Sequence, residues 1–419
     1  MQGELHRTIF ETLVMKEFET YTLPNGIRGI HRQVRSGVTH CALVVNAGSR
    51  DELKGEYGIA HLTEHALFKG TKHRRAYQVN CRLENLGGEL NAYTTKEDTT
   101  LHATVMRHDF SRAVELISDV IFNSTFPEHE LRKEREVIAD EINSYKDSPS
   151  ERIYDDFEDL MFRGSELGHN ILGTKASIAR LSTAELRGFV DRTYTTDQMV
   201  FSSIGNFSVA TARSVAERYL GTHATTSRGY GRERVTPYEP FDVQKSRHTH
   251  QTHGIIGSRG YGITDDRRLP LALAVNILGG PSANSLLNLQ LRERHGLSYN
   301  VEATYTPYSD AGIVGIYFSS DHDNADQCVE LIEAEISRLM REDITPRRLA
   351  IAKRQFVAQM AISMESNEGY MLGAGKSYLL YKDIETLEEA YQKVMAISAS
   401  SIRDVALDSF ASLSKLLYR

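Results

Sequence analysis

The sequence predicts an α+β fold of two homologous halves, each a mostly antiparallel sheet packed with helices. Three observations carry this. Strand-like segments neighbour one another in hairpins while helical segments come in runs, an order that favours α+β over a doubly wound sheet. The segment Val114-Glu115-Leu116-Ile117 recurs as Val329-Glu330-Leu331-Ile332, an offset of 215. A proline-started, charge-rich helix follows each copy, at Pro127 and at Pro346. A solenoid needs periods of about 20–50 residues, so this longer period means paired domains.

The elements follow in order. Residues 18–34 read as a hairpin turned at Pro24-Asn25-Gly26, a strong turn signal. Residues 39–47 (THCALVVNA) form an apolar strand. Residues 56–67 read as a helix, and 76–85 as another stopped by Gly87-Gly88. Residues 90–106 carry short strand signals rich in Thr, Tyr and Val. Residues 107–121 and 127–145 have helical periodicity, and Pro127 suits a first helical turn. In the second half, Thr252-His253 opens an apolar strand much as Thr39-His40 does. The break lies in 221–244, rich in Thr, Gly, Pro and charge. The expected domains are 1–220 and 245–419, joined by a linker at 221–244.

Composition excludes several classes. Of 419 residues, 40% are apolar and 25% charged, which rules out disorder over the whole chain. A net charge of −7 argues against a nucleic-acid partner and against a polybasic membrane-surface protein. No apolar run approaches the length that spans a bilayer as a helix, and the best, residues 269–278, contains Asn276. The N-terminal stretch lacks the apolar core of a secretory signal, and Glu4 and Glu11 count against a mitochondrial presequence. Cys41, Cys81 and Cys328 are odd in number and widely spaced, which fits a reducing compartment. The expectation is a cytoplasmic protein, bacterial in origin, with no membrane segment.

The segment that carries chemistry is His61-Leu62-Thr63-Glu64-His65. On a helix, His61 and His65 at i and i+4 project from one face, a spacing that suits two ligands of one zinc ion. Glu64 reaches the same face and is placed to act as a general base for hydrolysis. The alternative is a helix with surface histidines. A catalytic zinc needs a third protein ligand, and the helix over 127–145 offers candidates. Glu134, Ile138, Glu141 and Tyr145 share one of its faces with Leu131 and Ile142. Carboxylates in an apolar stripe are costly unless a cation answers them. A solvated acidic face is the competing explanation, since the helix is rich in Glu, Arg and Lys throughout.

Over nearly its whole length the chain resembles the pitrilysin/insulinase family of inverzincin zinc metallopeptidases, and especially the short branch that includes mitochondrial processing peptidase. Its inverted H-x-x-E-H motif matches His61 to His65. The segment Glu134-Arg135-Glu136-Val137-Ile138-Ala139-Asp140-Glu141 resembles the family's E-R-x-V-x-x-E stretch. Ala47-Gly48-Ser49-Arg50-Asp51-Glu52 before the motif and Phe68-Lys69-Gly70-Thr71 after it match as well. The resemblance implies one Zn2+ per chain on His61, His65 and Glu141, with Glu64 as general base and Glu134 supporting the ligands. It implies that Gly87-Gly88-Glu89-Leu90-Asn91-Ala92-Tyr93-Thr94-Thr95 holds an edge strand on which peptide substrates pair, through Asn91, Ala92 and Tyr93. The alternative there is an ordinary strand after a Gly-Gly turn. It also implies catalytic roles for Arg292 and Tyr299, whose alternative is a charged helix end followed by a strand tyrosine. The second half has no H-x-x-E-H, and residues 273–278, where the repeat would place it, hold no His.

The implied fold is a clamshell half and the implied activity is endopeptidase cleavage of peptides or unfolded segments in a closed chamber. The implied assembly is a homodimer, with a heterodimer as the variant. Two rivals are a non-catalytic structural subunit and one subunit of a heterodimeric processing peptidase. The complete motif counts against the first, and Arg292 with Tyr299 in this chain counts against the second. His248, His250 and His253 cluster without a carboxylate or Cys at ligand spacing and read as a solvated strand. His102, His108 and His169 are expected to be isolated, structural or exposed. Gly229-Tyr230-Gly231 reads as a turn, since no phosphate-loop lysine follows.

Overall fold

The computed structural model describes residues 18–247 and 249–419. Glu4, Glu11 and His248 lie outside the described residues. The strands are β1 (Glu19–Thr22), β2 (Arg28–Gln33), β3 (Val38–Val45), β4 (Glu89–Thr94), β5 (Thr99–Met106) and β6 (Met199–Gly205), then β7 (Asp242–Lys245), β8 (Thr252–Gly260), β9 (Ser298–Pro307), β10 (Gly312–Ser320) and β11 (Ser414–Tyr418). Among the described residues they form two sheets, ordered β1-β2-β6-β3-β5-β4 and β7-β11-β8-β10-β9. The fold is α+β, as the sequence predicts.

The internal repeat is visible in the ladders. β2 pairs β6 in parallel, and β3 runs antiparallel to both β6 and β5. In the second sheet β7 pairs β11 in parallel, and β8 runs antiparallel to β11 and β10. β4 and β9 close the two sheets on the same side of this order, each antiparallel to its neighbour. The first sheet adds β1, paired with β2 across the Pro24-Asn25-Gly26 turn. Helices Phe110–Asn123 and Ala325–Arg341 begin at equivalent places in the two halves, separated by the same offset as the repeat read from the sequence.

The chain divides into two compact units that are not contiguous in sequence. One runs to Ala139 and takes in Ile171–Arg232 and Ala361–Ala390. The other comprises Asp140–Asn170, Glu233–Met360 and Tyr391–Arg419. This differs from the expected domains 1–220 and 245–419. Each half lends one helix to the other half's sheet, and burial explains why. All of β6 is buried, so both faces of the first sheet need cover. Helix Asn367–Tyr381 covers one face, packing Met371 on Ala42 and Ile204, and Leu379 on Val44 and Val200. Arg28 fixes that helix by donating to the carbonyls of Tyr378 (2.7 Å) and Leu379 (3.2 Å) at its C-terminal end. In the second unit, helix Pro149–Met161 places Ile153, Phe157 and Met161 against Ile255, Tyr317 and Leu416. Helices Arg268–Gly279, Ala325–Arg341 and Ala399–Ser409 bury the other face with Ile256, Val314 and Phe318. Each aliphatic side chain so buried contributes about 1.5–3 kcal/mol.

The division falls inside the continuous helix Glu128–Lys146, so that helix belongs to both units. All three cysteines are free, and burial pushes the Cys41 thiol up to about 12. Among the described residues no helix is long and apolar enough to cross a membrane.

Candidate metal and catalytic site

The histidine motif lies on helix Ile59–Leu67. The sequence signal placed its start at residue 56, but Gly58 has a φ of 94° and caps the helix instead. A side chain cannot replace that hydrogen. An added Cβ at Gly58 would stand 2.5 Å from Ile178 Cδ1 and 2.7 Å from the Leu172 carbonyl oxygen. Gly58→Ala is therefore expected to cost about 2 kcal/mol or more, from left-handed backbone plus overpacking. Denaturant unfolding checks this, and an unchanged midpoint would count against it. The helix's first N–H groups have no intrahelical acceptor. Glu52 supplies one: Gly58 N donates to its Oε2 (2.9 Å) and Ala60 N to its Oε1 (3.0 Å).

Helical geometry brings His61 and His65 together with ring centroids 4.6 Å apart. Helix Glu128–Lys146 delivers Glu141 to them. Among the described residues, His61, His65 and Glu141 form the one group of His, Cys, Asp or Glu placed to hold a metal, with ligand atoms within 4.8 Å of one another. The predicted stripe on this helix is also real: Leu131, Glu134, Ile138 and Ile142 are buried. Burial, together with neighbouring His65, pulls His61 down to about 4, so its imidazole is neutral at neutral pH. Two imidazoles and a carboxylate are a donor set that zinc takes, and here they converge from two helices.

Glu134 sits behind this group. His65 Nδ1 donates to Glu134 Oε2 at 3.1 Å, a bond that fixes the ring's tautomer. Lys69 Nζ lies 2.8 Å from Glu134 Oε1. Burial raises the Glu134 carboxyl, but the bonds from His65 and Lys69 outweigh it and hold the group below its ordinary range. Glu64 is half-buried on the same helix. Buried Tyr194 lies within its electrostatic reach. Burial, with the Glu64 charge adding to it, raises the Tyr194 hydroxyl.

Asn91, Ala92 and Tyr93 lie on β4, at the edge of the first sheet, paired with His102, Leu101 and Thr100 of β5. The histidine helix packs beside β4. Arg292 and Tyr299 lie in the second unit, Arg292 in the helical turn Asn288–Arg294 and Tyr299 on β9. Both are exposed, Tyr299 to 83%. His102 is not isolated as expected: it is bonded to Glu368 Oε1 (3.0 Å) and is structural. His108 is exposed beside Asp109, and His253 is bonded to the Tyr317 hydroxyl.

Sequence reasoning missed Lys69, Tyr194 and Glu52 as parts of this site. Lys69 carried a signal, standing one helical turn beyond His65 at the helix end. Tyr194, far from the motif in sequence, carried none.

Residues 32–175 match the family model described as Insulinase (Peptidase family M16), and residues 180–356 match Peptidase M16 inactive domain. The uncharacterized zinc protease YmxG of Bacillus subtilis (strain 168) is 31% identical over 93% of this chain and 95% of its own length. The chain belongs to peptidase family M16, the insulinase family. Other M16 relatives named as uncharacterized zinc proteases come from Rickettsia bellii (strain RML369-C), 31% identical over 88% of this chain and 89% of that one, and Streptomyces coelicolor, 27% identical over 92% and 86%. A solved peptidase M16 inactive domain from Pseudomonas fluorescens superposes with a TM-score of 0.90 at 17% identity, covering 96% of this chain and 98% of its own. A protease from Helicobacter pylori does so at 0.87 and 19%, covering 97% and 100%. At these identities the likeness shows the M16 fold, and the relatives' names point to a zinc peptidase.

Proposed function

We propose that the protein is a zinc-dependent endopeptidase acting on peptides or unfolded protein segments. One observation carries the reading: His61, His65 and Glu141 come within 4.8 Å of one another from two helices. His61, His65 and Glu141 would hold the ion. When bound, zinc supplies Lewis-acid activation of water and of the scissile carbonyl. Glu64 takes a proton from the attacking water and returns it to the leaving amine. Glu134 holds the His65 tautomer and balances charge, itself anchored by Lys69. A substrate strand adds to the open edge of β4, where main-chain bonds give affinity and side-chain contacts at Asn91, Ala92 and Tyr93 give preference. Three free thiols favour a reducing cytoplasmic setting. Purified protein should hold about one zinc per chain, with peptide cleavage stopped by a chelator. Full activity in metal-free protein would end this reading.

In the same proposal Tyr299 donates to the developing oxyanion and Arg292 holds a substrate carbonyl, in a chamber closed by two chains. Both side chains are exposed, so Tyr299→Phe and Arg292→Ala should barely change stability. Loss of one oxyanion donor should lower turnover roughly 10²–10³-fold. Mixing Glu64→Gln with Tyr299→Phe chains tests assembly, because recovered activity means a dimer reassembles complementary sites. Wild-type rates in both single variants would remove Arg292 and Tyr299 from the mechanism.

A further inference from the structure

We infer that Tyr230 and Arg232, from the segment expected to be a free linker, are positioning residues for the metal helix. The inference rests on the zinc reading above. Residues 226–232 are stitched to the rest of the first unit. Thr226 and Thr196 exchange bonds, each backbone N donating to the other's Oγ1 at 2.9 Å, and Arg228 N donates to Asp197 Oδ1 at 3.1 Å.

The segment then closes on Asp51. Arg232 donates twice to that carboxylate, Nε to Oδ1 at 3.1 Å and Nη2 to Oδ2 at 2.7 Å. The Tyr230 hydroxyl donates to Oδ1 at 2.9 Å, and Gly48 N donates to Oδ2 at 2.9 Å. The Asp51 side chain has no solvent exposure and that of Arg232 only 10%. A carboxylate so buried depends on the guanidiniums beside it, Arg232 and, at 3.8 Å, Arg228 Nη1, and losing the bidentate partner weakens that compensation. Arg232 also donates to the Glu97 carbonyl at 2.7 Å, and Arg50 donates to Glu97 Oε1 at 2.7 Å.

The next residue after Asp51 is Glu52, whose carboxylate takes the N–H groups of Gly58 and Ala60. Ala60 is bonded directly to His61. Arg232 therefore reaches the first metal ligand through a short chain of fixed pieces: a bidentate pair to Asp51, one peptide link to Glu52, and two bonds onto the helix N-terminus. If Asp51 turns, the Glu52 carboxylate leaves the helix end and His61 loses its register with His65 and Glu141.

Zinc affinity of the full chain, measured by competition with a chromogenic chelator, tests this beside the melting temperature of the metal-free form. Arg232→Ala should weaken zinc binding about 10–100-fold, the range seen when groups that orient metal ligands are lost. Arg232→Lys should recover only part, because an ammonium cannot make the paired contact, and Tyr230→Phe should show a smaller loss. Glu52→Gln should weaken zinc as well, and combining it with Arg232→Ala should add little, since both cut one relay. Wild-type zinc affinity in Arg232→Ala would overturn the inference whatever its melting temperature, and so would fully additive losses. If Arg232→Ala does not fold, unchanged affinity in both Arg232→Lys and Tyr230→Phe overturns it. A wild-type chain that binds no zinc sinks the metallopeptidase reading instead.

Discussion

Glu141→Ala is expected to strip the metal and take hydrolysis down to the background of the chelated protein. Two imidazoles one helical turn apart remain, and they do not complete the three-ligand set of a catalytic zinc. The readout need not be activity. A ligand that binds only the folded chain stabilises it by about 2.7 kcal/mol at a hundred times its dissociation constant. Added zinc should therefore raise the melting temperature of the wild type and leave that of Glu141→Ala unmoved. Glu134→Gln makes the contrast. Glu134 is assigned to the His65 Nδ1 bond and not to the ion, so this variant should keep zinc with affinity weakened about 10–100-fold. If Glu141→Ala kept full zinc affinity while Glu134→Gln lost the metal, the two acids would have to exchange roles.

The cluster of His61, His65 and Glu141 was legible in part, because helical spacing aligns what each helix contributes, while the choice of Glu141 came from the family resemblance. His61 and His65 are one turn apart, Glu134 and Glu141 two turns apart, and both sets share their faces with buried apolar residues. The repeat was legible for a similar reason: the offset between Val114 and Val329 reappears in the starts of helices Phe110–Asn123 and Ala325–Arg341. What could not be read is what depends on three-dimensional closure. Helix Pro149–Met161 carries Ile153, Phe157 and Met161 on successive turns, a sign of an amphipathic helix, but nothing local says whose sheet it covers. Residues 221–244 had the composition of a flexible linker, yet Tyr230 and Arg232 find Asp51, which lies much earlier in the chain, before the histidine motif. Buried charge pairs of this kind have no periodicity, so sequence shows each partner as one more surface charge.

Glu64→Gln should separate the base from the ligands. Gln is nearly the same size as Glu and keeps a carbonyl oxygen, so the helix and the cluster of His61, His65 and Glu141 have no reason to move. Zinc content should stay near the wild-type value, and so should the zinc-dependent rise in melting temperature. What the amide cannot do is accept the proton of the attacking water and carry it to the leaving nitrogen. Positioned proton transfer of this kind contributes about 10²–10⁴-fold, so turnover should fall by at least about 10²-fold. Binding should not fall with it. A peptide that pairs with β4 through its main chain meets the same edge in the variant, so KM should change far less than kcat. Hydrolysis at the wild-type rate would mean that a group other than Glu64 takes the proton. Loss of zinc at an unchanged melting temperature of the metal-free form would mean instead that Glu64 is itself a ligand, and the division of labour along His61 to His65 would have to be redrawn.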